Sequence, residues 1–185
     1  MTLMIEREVK LRFEGPGEAR TAILSAGATP LRCRRLQEDA LLDTDDEILR
    51  RRQCVLRVRT EAGKCLLTFK GPAQPETMKI RDEYETVIDD GEILQRVLEE
   101  LGLHVWFRYE KYREEYAAED VTIALDETPI GTYVEIEGGE DGIHTMTRAL
   151  GRTANDFVLH SYRRLFVQHR EQYGFGNTNM VFRGE

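Results

Sequence analysis

The stretch MIEREVKLRF, residues 4–13, decides how the rest of the chain is read. Side chains alternate across a strand, so Val9, Leu11 and Phe13 fall on one face while Glu6, Glu8 and Lys10 fall on the other. Such alternation ordinarily marks a half-buried strand with its polar side in water. Two carboxylates and an ammonium spaced two residues apart also allow a second reading, in which they gather around something. One strand leaves both readings open. The other strands separate them if they repeat the arrangement.

They do repeat it. Arg57 and Arg59 share a face in CVLRVRT, and Lys79, Arg81, Glu83 and Glu85 share one in KIRDEYETV. Lys111 and Arg113 fall together in EKYREEY, Glu135 and Glu137 flank Ile136 in GTYVEIEG, and VTIALD ends on Asp126. Lys70 closes CLLTFKG in phase with Leu66 and Thr68. For any one strand a solvated face is the ordinary reading. For the set it strains, because helical cover is scarce and neighbouring like charges repel unless an opposite charge lies between them. Closing the sheet resolves this, with apolar residues outward beneath helices and charges pointing into a lumen. Barrels of about eight strands can hold one small ligand.

The remaining segments fit that plan. QCVLRVRT and CLLTFKG flank EAGK, a hairpin signal with Gly63 in the loop. GPGEARTAILSAGA reads as a short helix with Pro16 near its start, and DDGEILQRVLEELGL spaces Ile93, Leu94, Val97, Leu98 and Leu101 at helical intervals. DTDDEILRRR reads as a turn with one helical turn, residues 31–43 as extended chain, and DGIHTMTRALG and HSYRRLFVQHREQYG as helices. The fold class is therefore α+β with strands dominant: an antiparallel sheet curled into a closed barrel with helices outside. A single domain is expected over residues 1–170, with 171–185 a loose C-terminal tail.

Composition narrows the function. The chain has 185 residues, 41% hydrophobic and 32% charged, with a formal net charge of −8. That balance suits one globular domain and argues against a protein that lives on a nucleic-acid backbone. No apolar run approaches the ~20 residues of a membrane helix, and the N-terminus lacks signal-peptide character. Cys33, Cys54 and Cys65 lack C-x-x-C spacing, so a reducing, cytoplasmic setting is expected.

The chemistry of a charged interior follows from its residue types. Clustered oxygens from Glu6, Glu8, Glu135 and Glu137 suit a hard divalent cation, Mg²⁺ or Mn²⁺. Inward Lys and Arg suit phosphate, Arg with a planar two-pronged donor set. Metal together with many cations implies a ligand with several negative charges in a row, and polyphosphate is the natural candidate. No G-x-x-x-x-G-K-[ST] loop occurs, so side chains must do the holding.

On these residues the sequence resembles the CYTH superfamily, the triphosphate tunnel metalloenzymes. The motifs are E-x-E-x-K at Glu6–Lys10, then LRVR, LTFKGP, IRDEYE, EKYREEY, ALD and GTYVEIEG, in family order. The resemblance implies an eight-stranded antiparallel tunnel with a triphosphate threaded along basic side chains. It implies Glu6, Glu8, Glu135 and Glu137 as catalytic metal ligands, with Glu83 and Asp126 in that role or just behind it. Lys10, Arg57, Arg59, Lys70, Arg81, Lys111 and Arg113 would grip phosphate, Lys111 serving catalysis as well, and Arg163 in SYRRLF would approach a tunnel mouth. A homodimer is implied by the same likeness. The family often has an aromatic residue between the acidic positions of the second strand; here Leu41 and Leu42 lie between Asp39 and Asp43, whose roles stay open.

The closest branch in pattern is that of class IV adenylyl cyclases, which turn ATP into cyclic AMP and pyrophosphate. The alternative is a triphosphatase acting on tripolyphosphate, thiamine triphosphate or a nucleoside triphosphate. A third reading is a non-catalytic polyphosphate- or nucleotide-binding module, which the carboxylate pairs disfavour. Two further expectations are that Trp106 packs under a helix and that Glu135→Gln leaves the fold intact or steadier by relieving repulsion among crowded acids.

Overall fold

The computed structural model describes residues 4–74, 78–176 and 179–182. Eight strands close into an antiparallel barrel: β1 (Met4–Phe13), β2 (Thr29–Asp43), β3 (Val55–Glu61), β4 (Lys64–Lys70), β5 (Lys79–Ile88), β6 (His104–Ala118), β7 (Val121–Thr128) and β8 (Gly131–Gly138). Around the wall they run β1-β5-β4-β3-β2-β6-β7-β8, and β8 returns to β1. This is the expected architecture. Pro75, in the approach to β5, lies outside the described residues.

Local chemistry sets the corners. Ala62 and Gly63 both take positive φ, 48° and 76°, the two-residue turn whose twist matches a β3–β4 hairpin. At the end of β8, a Cβ on Gly138 would stand 2.4 Å from the Asp120 carbonyl oxygen, so only glycine lets β8 pass the β6–β7 turn.

The apolar faces point outward under helices. Val9, Leu11 and Phe13 of β1 join Ile123, Leu125, Val134 and Ile136 in a buried layer. Helices α1 (Pro16–Ser25) and α4 (Glu140–Ala149) cover it with Ala19, Ile23, Ile143 and Met146. Each large aliphatic side chain so buried contributes about 1.5–3 kcal/mol. A short α2 (Ile48–Arg51) follows β2, and α3 (Gly91–Glu100) sets Leu98 against Leu42, Val58 and Cys65. Cys54 and Cys65 are buried as packing residues, whereas Cys33 is exposed.

One end of the barrel is stopped by α5 (Tyr162–His169), whose Tyr162, Leu165 and Phe166 pack on Leu41, Phe107, Tyr109 and Tyr133. The segment expected to hang loose does not do so where it is described. Met180 is fully buried and bridges Tyr109 in parallel, its amide donating to the Arg108 carbonyl and its carbonyl accepting from the Glu110 amide. The reason lies in unequal strand lengths: β7 pairs only with Tyr112–Ala118 of β6, leaving the earlier half of that edge open, and Met180 occupies it. The other parts of the expected tail, residues 177–178 and 183–185, lie outside the described residues.

Candidate active site in the barrel lumen

The inward positions of the strands bound a cavity of about 1170 Å³, lined by Glu6, Glu8, Lys10, Arg57, Arg59, Lys70, Arg81, Glu83, Lys111, Arg113, Glu135 and Glu137 among others. Strand alternation puts each of them there, and β1 alone supplies both acids and a lysine. Lys10, Arg57, Arg59, Lys70 and Lys111 are all buried. Charges this far from water persist only with partners.

The inner half is fully compensated. Asp126, wholly buried, accepts from Lys111 Nζ at 2.8 Å, from Arg113 Nε and Nη2 at 2.6 Å each, and from the Tyr162 hydroxyl at 2.7 Å. Glu135 pairs with Lys10 at 2.8 Å and with Arg113. Burial alone would raise Glu135, but Lys10, Lys111 and Arg113 hold it well below the usual carboxylate range. Burial, with Arg113 alongside, brings the Lys111 ammonium down to about 8 against the pull of Asp126 and Glu135. Burial and the carboxylates of Asp126 and Glu135 hold the Tyr162 phenol far above its ordinary value. Its ring lies 4.6 Å from Lys10 Nζ and 5.0 Å from Lys111 Nζ.

A second group sits along β2–β5. Arg59 grips Asp39 with two donors at 2.9 and 3.2 Å, Arg57 approaches the same carboxylate at 3.4 Å, and Arg57 also donates to Thr68 Oγ1 at 3.1 Å. The open role of Asp39 is thus to balance two arginines. Asp43 instead anchors α2, accepting from the amides of Thr44, Leu49 and Arg50 and from the Arg50 side chain.

The third group is acidic and less well matched. Glu6 accepts from Lys70 at 2.6 Å and Arg81 at 2.7 Å, Glu83 lies 2.9 Å from Lys70, and Lys79 holds Glu8. Glu137, beside Glu8 in the β1–β8 register, is solvent-accessible and makes no hydrogen bond or ion pair among the described residues. Partial loss of hydration inside the barrel mouth and crowding by Glu6 and Glu8 push its carboxyl up to about 7.

The sequence-expected residues line the lumen except Asp126, which lies wholly buried behind Lys111 and Arg113, and they do not form one centre. The six acids divide into Glu6, Glu8, Glu83 and Glu137 on one side and Asp126 with Glu135 on the other. Among the described residues no three Asp, Glu, His or Cys side chains already stand as a metal site. The donor chemistry of Glu6, Glu8 and Glu137 nevertheless fits a hard cation, because crowding leaves Glu137 with unbalanced charge. Lys70 and Lys79 would have to yield their carboxylates to it. Glu135 repels Glu8 as the sequence suggested, but Lys10 and Arg113 also occupy it, so Glu135→Gln removes ion pairs as well as relieving repulsion. Arg163 lines the cavity near Trp106 and Phe107, with Arg50 on the same indole.

Sequence reasoning left Asp39, Lys79 and Tyr109 out of the site, along with the Arg35 bridge that pairs Glu61 with Glu115 at the cavity wall. Phase along β2 and β5 already placed Asp39 and Lys79 inward. The bulges of β2 between Arg32 and Arg35 hid Arg35 from such counting.

The CYTH domain family model matches residues 4–162. The chain belongs to the CYTH family. This CYTH chain is 28% identical over 148 residues to the Methanocaldococcus jannaschii protein named "Putative adenylate cyclase MJ0240", covering 80% of the chain and 84% of that protein. It superposes on the structure of the PH1819 protein of Pyrococcus horikoshii with a TM-score of 0.75 and 27% identity, covering 89% of this chain and 99% of that one. The Hippeastrum structure named "Putative adenylyl cyclase HpAC1", described as revealing a dominant triphosphatase activity, shares the fold at a TM-score of 0.65 and 20% identity, covering 88% and 95% of the two chains. Among the described residues no helix is long and apolar enough to cross a membrane.

Proposed function

We propose that this CYTH protein is a metal-dependent enzyme acting on a triphosphate held in the lumen, and that it converts ATP to cyclic AMP and pyrophosphate. One observation carries the reading. Cationic side chains from β1, β3, β4, β5 and β6 converge on a single cavity inside an acidic protein, with an under-compensated acid cluster at its edge. The archaeal relative's name supports the cyclase choice.

Phosphoryl chemistry asks mainly for positioning and charge neutralisation. Arg57, Arg59, Lys10, Lys111 and Arg113 would take the phosphate oxygens, each exchanging a carboxylate partner for the substrate. Glu6, Glu8 and Glu137, with Glu83 beside them, would hold Mg²⁺ or Mn²⁺. That ion, when bound, supplies charge neutralisation on the phosphates. The ribose 3′-hydroxyl attacks the α-phosphorus, the bond to the bridging oxygen of the β-phosphate breaks, and pyrophosphate leaves. With its pKa brought down to about 8, Lys111 in its neutral amine form would take the proton that the 3′-hydroxyl loses on attack.

Hydrolysis is the second reading, favoured by the water access that Glu137 retains at the cavity edge. Incubation with Mg²⁺ or Mn²⁺ and ATP, thiamine triphosphate or tripolyphosphate separates the two. Cyclic AMP with pyrophosphate is the expected result. Orthophosphate without cyclic product overturns the cyclase reading, and tight binding without turnover in either metal overturns the enzyme.

A further inference from the structure

The end of the cavity near α5 has a chemistry unlike the rest. In the β2–β6 ladder Phe107 faces Leu41 and Val105 faces Leu42, so Trp106 is an extra residue in a bulge. Trp106 packs, as expected, under a helix, against the cluster that includes Tyr162, Leu165 and Phe166 of α5, but strict alternation would send it to the outer face. The bulge turns it beside Phe107 instead, ring centroids 5.9 Å apart, and into the cavity lining. Bulges of this kind re-aim a single side chain.

Two guanidiniums attend that indole. Arg50 lies 4.3 Å from its ring centre and is fixed by Asp43 at 3.0 Å and Glu47 at 3.3 Å. Arg163 lies 5.5 Å from the Trp106 ring and 5.3 Å from Phe107, and makes no ion pair among the described residues. Burial and the nearby cations Arg50 and Arg170 depress its pKa. The carboxylates at this end are thus committed to Arg50, while Arg163 presents a planar, unbalanced donor set to a cavity that continues to Tyr162 and Lys111.

We propose that Trp106 and Arg163, with Arg50 behind them, form the subsite for the organic end of the triphosphate, and that this end is a neutral aromatic base. This rests on the triphosphate reading above. A planar base offers a π-face to indole or guanidinium and acceptor atoms to Arg163. A cationic ring such as the thiazolium of thiamine triphosphate would meet two positive charges at this end and, among the described residues there, no free carboxylate. The pocket therefore selects a nucleoside triphosphate over thiamine triphosphate, and inorganic tripolyphosphate leaves it empty.

Trp106 is the only tryptophan in the chain, so its emission reports on this subsite directly. Binding is measured by calorimetry and by tryptophan fluorescence on the EDTA-treated full chain, with ATP, thiamine triphosphate and tripolyphosphate. ATP is expected to alter the emission and tripolyphosphate to bind without altering it, with thiamine triphosphate weaker than ATP. Arg163→Gln should weaken ATP about tenfold and tripolyphosphate less than about twofold. Arg163→Lys keeps the charge without the plane, guards against misfolding, and should weaken ATP in the same selective way. Equal losses for ATP and tripolyphosphate, or thiamine triphosphate binding as tightly as ATP, would overturn the assignment. Wild-type binding of tripolyphosphate but not ATP would overturn it while leaving the triphosphate reading standing; binding of none of the three would end both.

Discussion

The inner half of the lumen and its acidic edge are built from the same residue types to opposite ends. Around Asp126 and Glu135 every charge has a partner within hydrogen-bond reach, and the carboxylates hold the lysine and arginine tips in place. Around Glu6, Glu8, Glu83 and Glu137 four acids share three bases, Lys70, Lys79 and Arg81, and Glu137 is left protonatable near neutrality. The first region is ordered before any ligand arrives. The second stores a negative charge that a cation would relieve. An anion site and a cation site can thus share one barrel because strand register keeps them a few residues apart.

The contrast breaks most visibly at Asp126. Asp126→Ala strands Lys111 and Arg113 in the interior, and should cost about 3–5 kcal/mol in denaturant unfolding. A loss below about 1 kcal/mol would show that the inner network is not mutually dependent. Arg57→Ala should leave the Asp126 network alone and weaken triphosphate binding about 10- to 100-fold, the loss of a charge-assisted contact, as read by calorimetry.

Glu137→Gln tests the other region through pH. An acid whose folded pKa is raised to about 7 keeps its proton when folded but loses it when unfolded above about 4.5. Wild-type stability therefore falls as pH climbs from about 5 through 7, and the glutamine variant should lack that fall. Melting temperatures of the two, measured without metal at pH 5.5 and pH 8, should diverge more at the higher pH. Mg²⁺ should raise the wild-type melting temperature at pH 8 more than that of the variant. Asp90→Ala is the control and the smallest effect: losing its cap to the Ile93 amide, 2.9 Å, should cost about 1 kcal/mol of stability and leave triphosphate affinity unchanged.

The barrel was legible because period-two phase survives over the charged stretch of seven of the eight strands, and an ionic face repeated that often has few other resolutions. Glu6, Glu8, Lys10, Arg57, Arg59, Lys111 and Arg113 could be assigned to the interior from phase alone. Which acid pairs with which base could not, because that depends on register between strands: Lys10 lies opposite Glu135 and Glu8 opposite Glu137, a shift no single strand encodes. Trp106 shows the other limit. One inserted residue in β6 reverses the side on which it lies, and nothing in VWFRYEK marks the insertion.

The docking of Asn179–Phe182 onto β6 has a practical consequence for anyone handling the protein. The Arg108 amide donates to the Asn179 side chain and the Phe182 amide to Glu110, so Asn179–Phe182 act as a seam. A shortened version ending before Asn179, or an affinity handle that drags this seam away, would bare a ribbon of hydrogen-bonding groups that a neighbouring copy can stitch onto. Self-association seen only in such versions would be an artefact of preparation, and an amino-terminal handle is the safer choice.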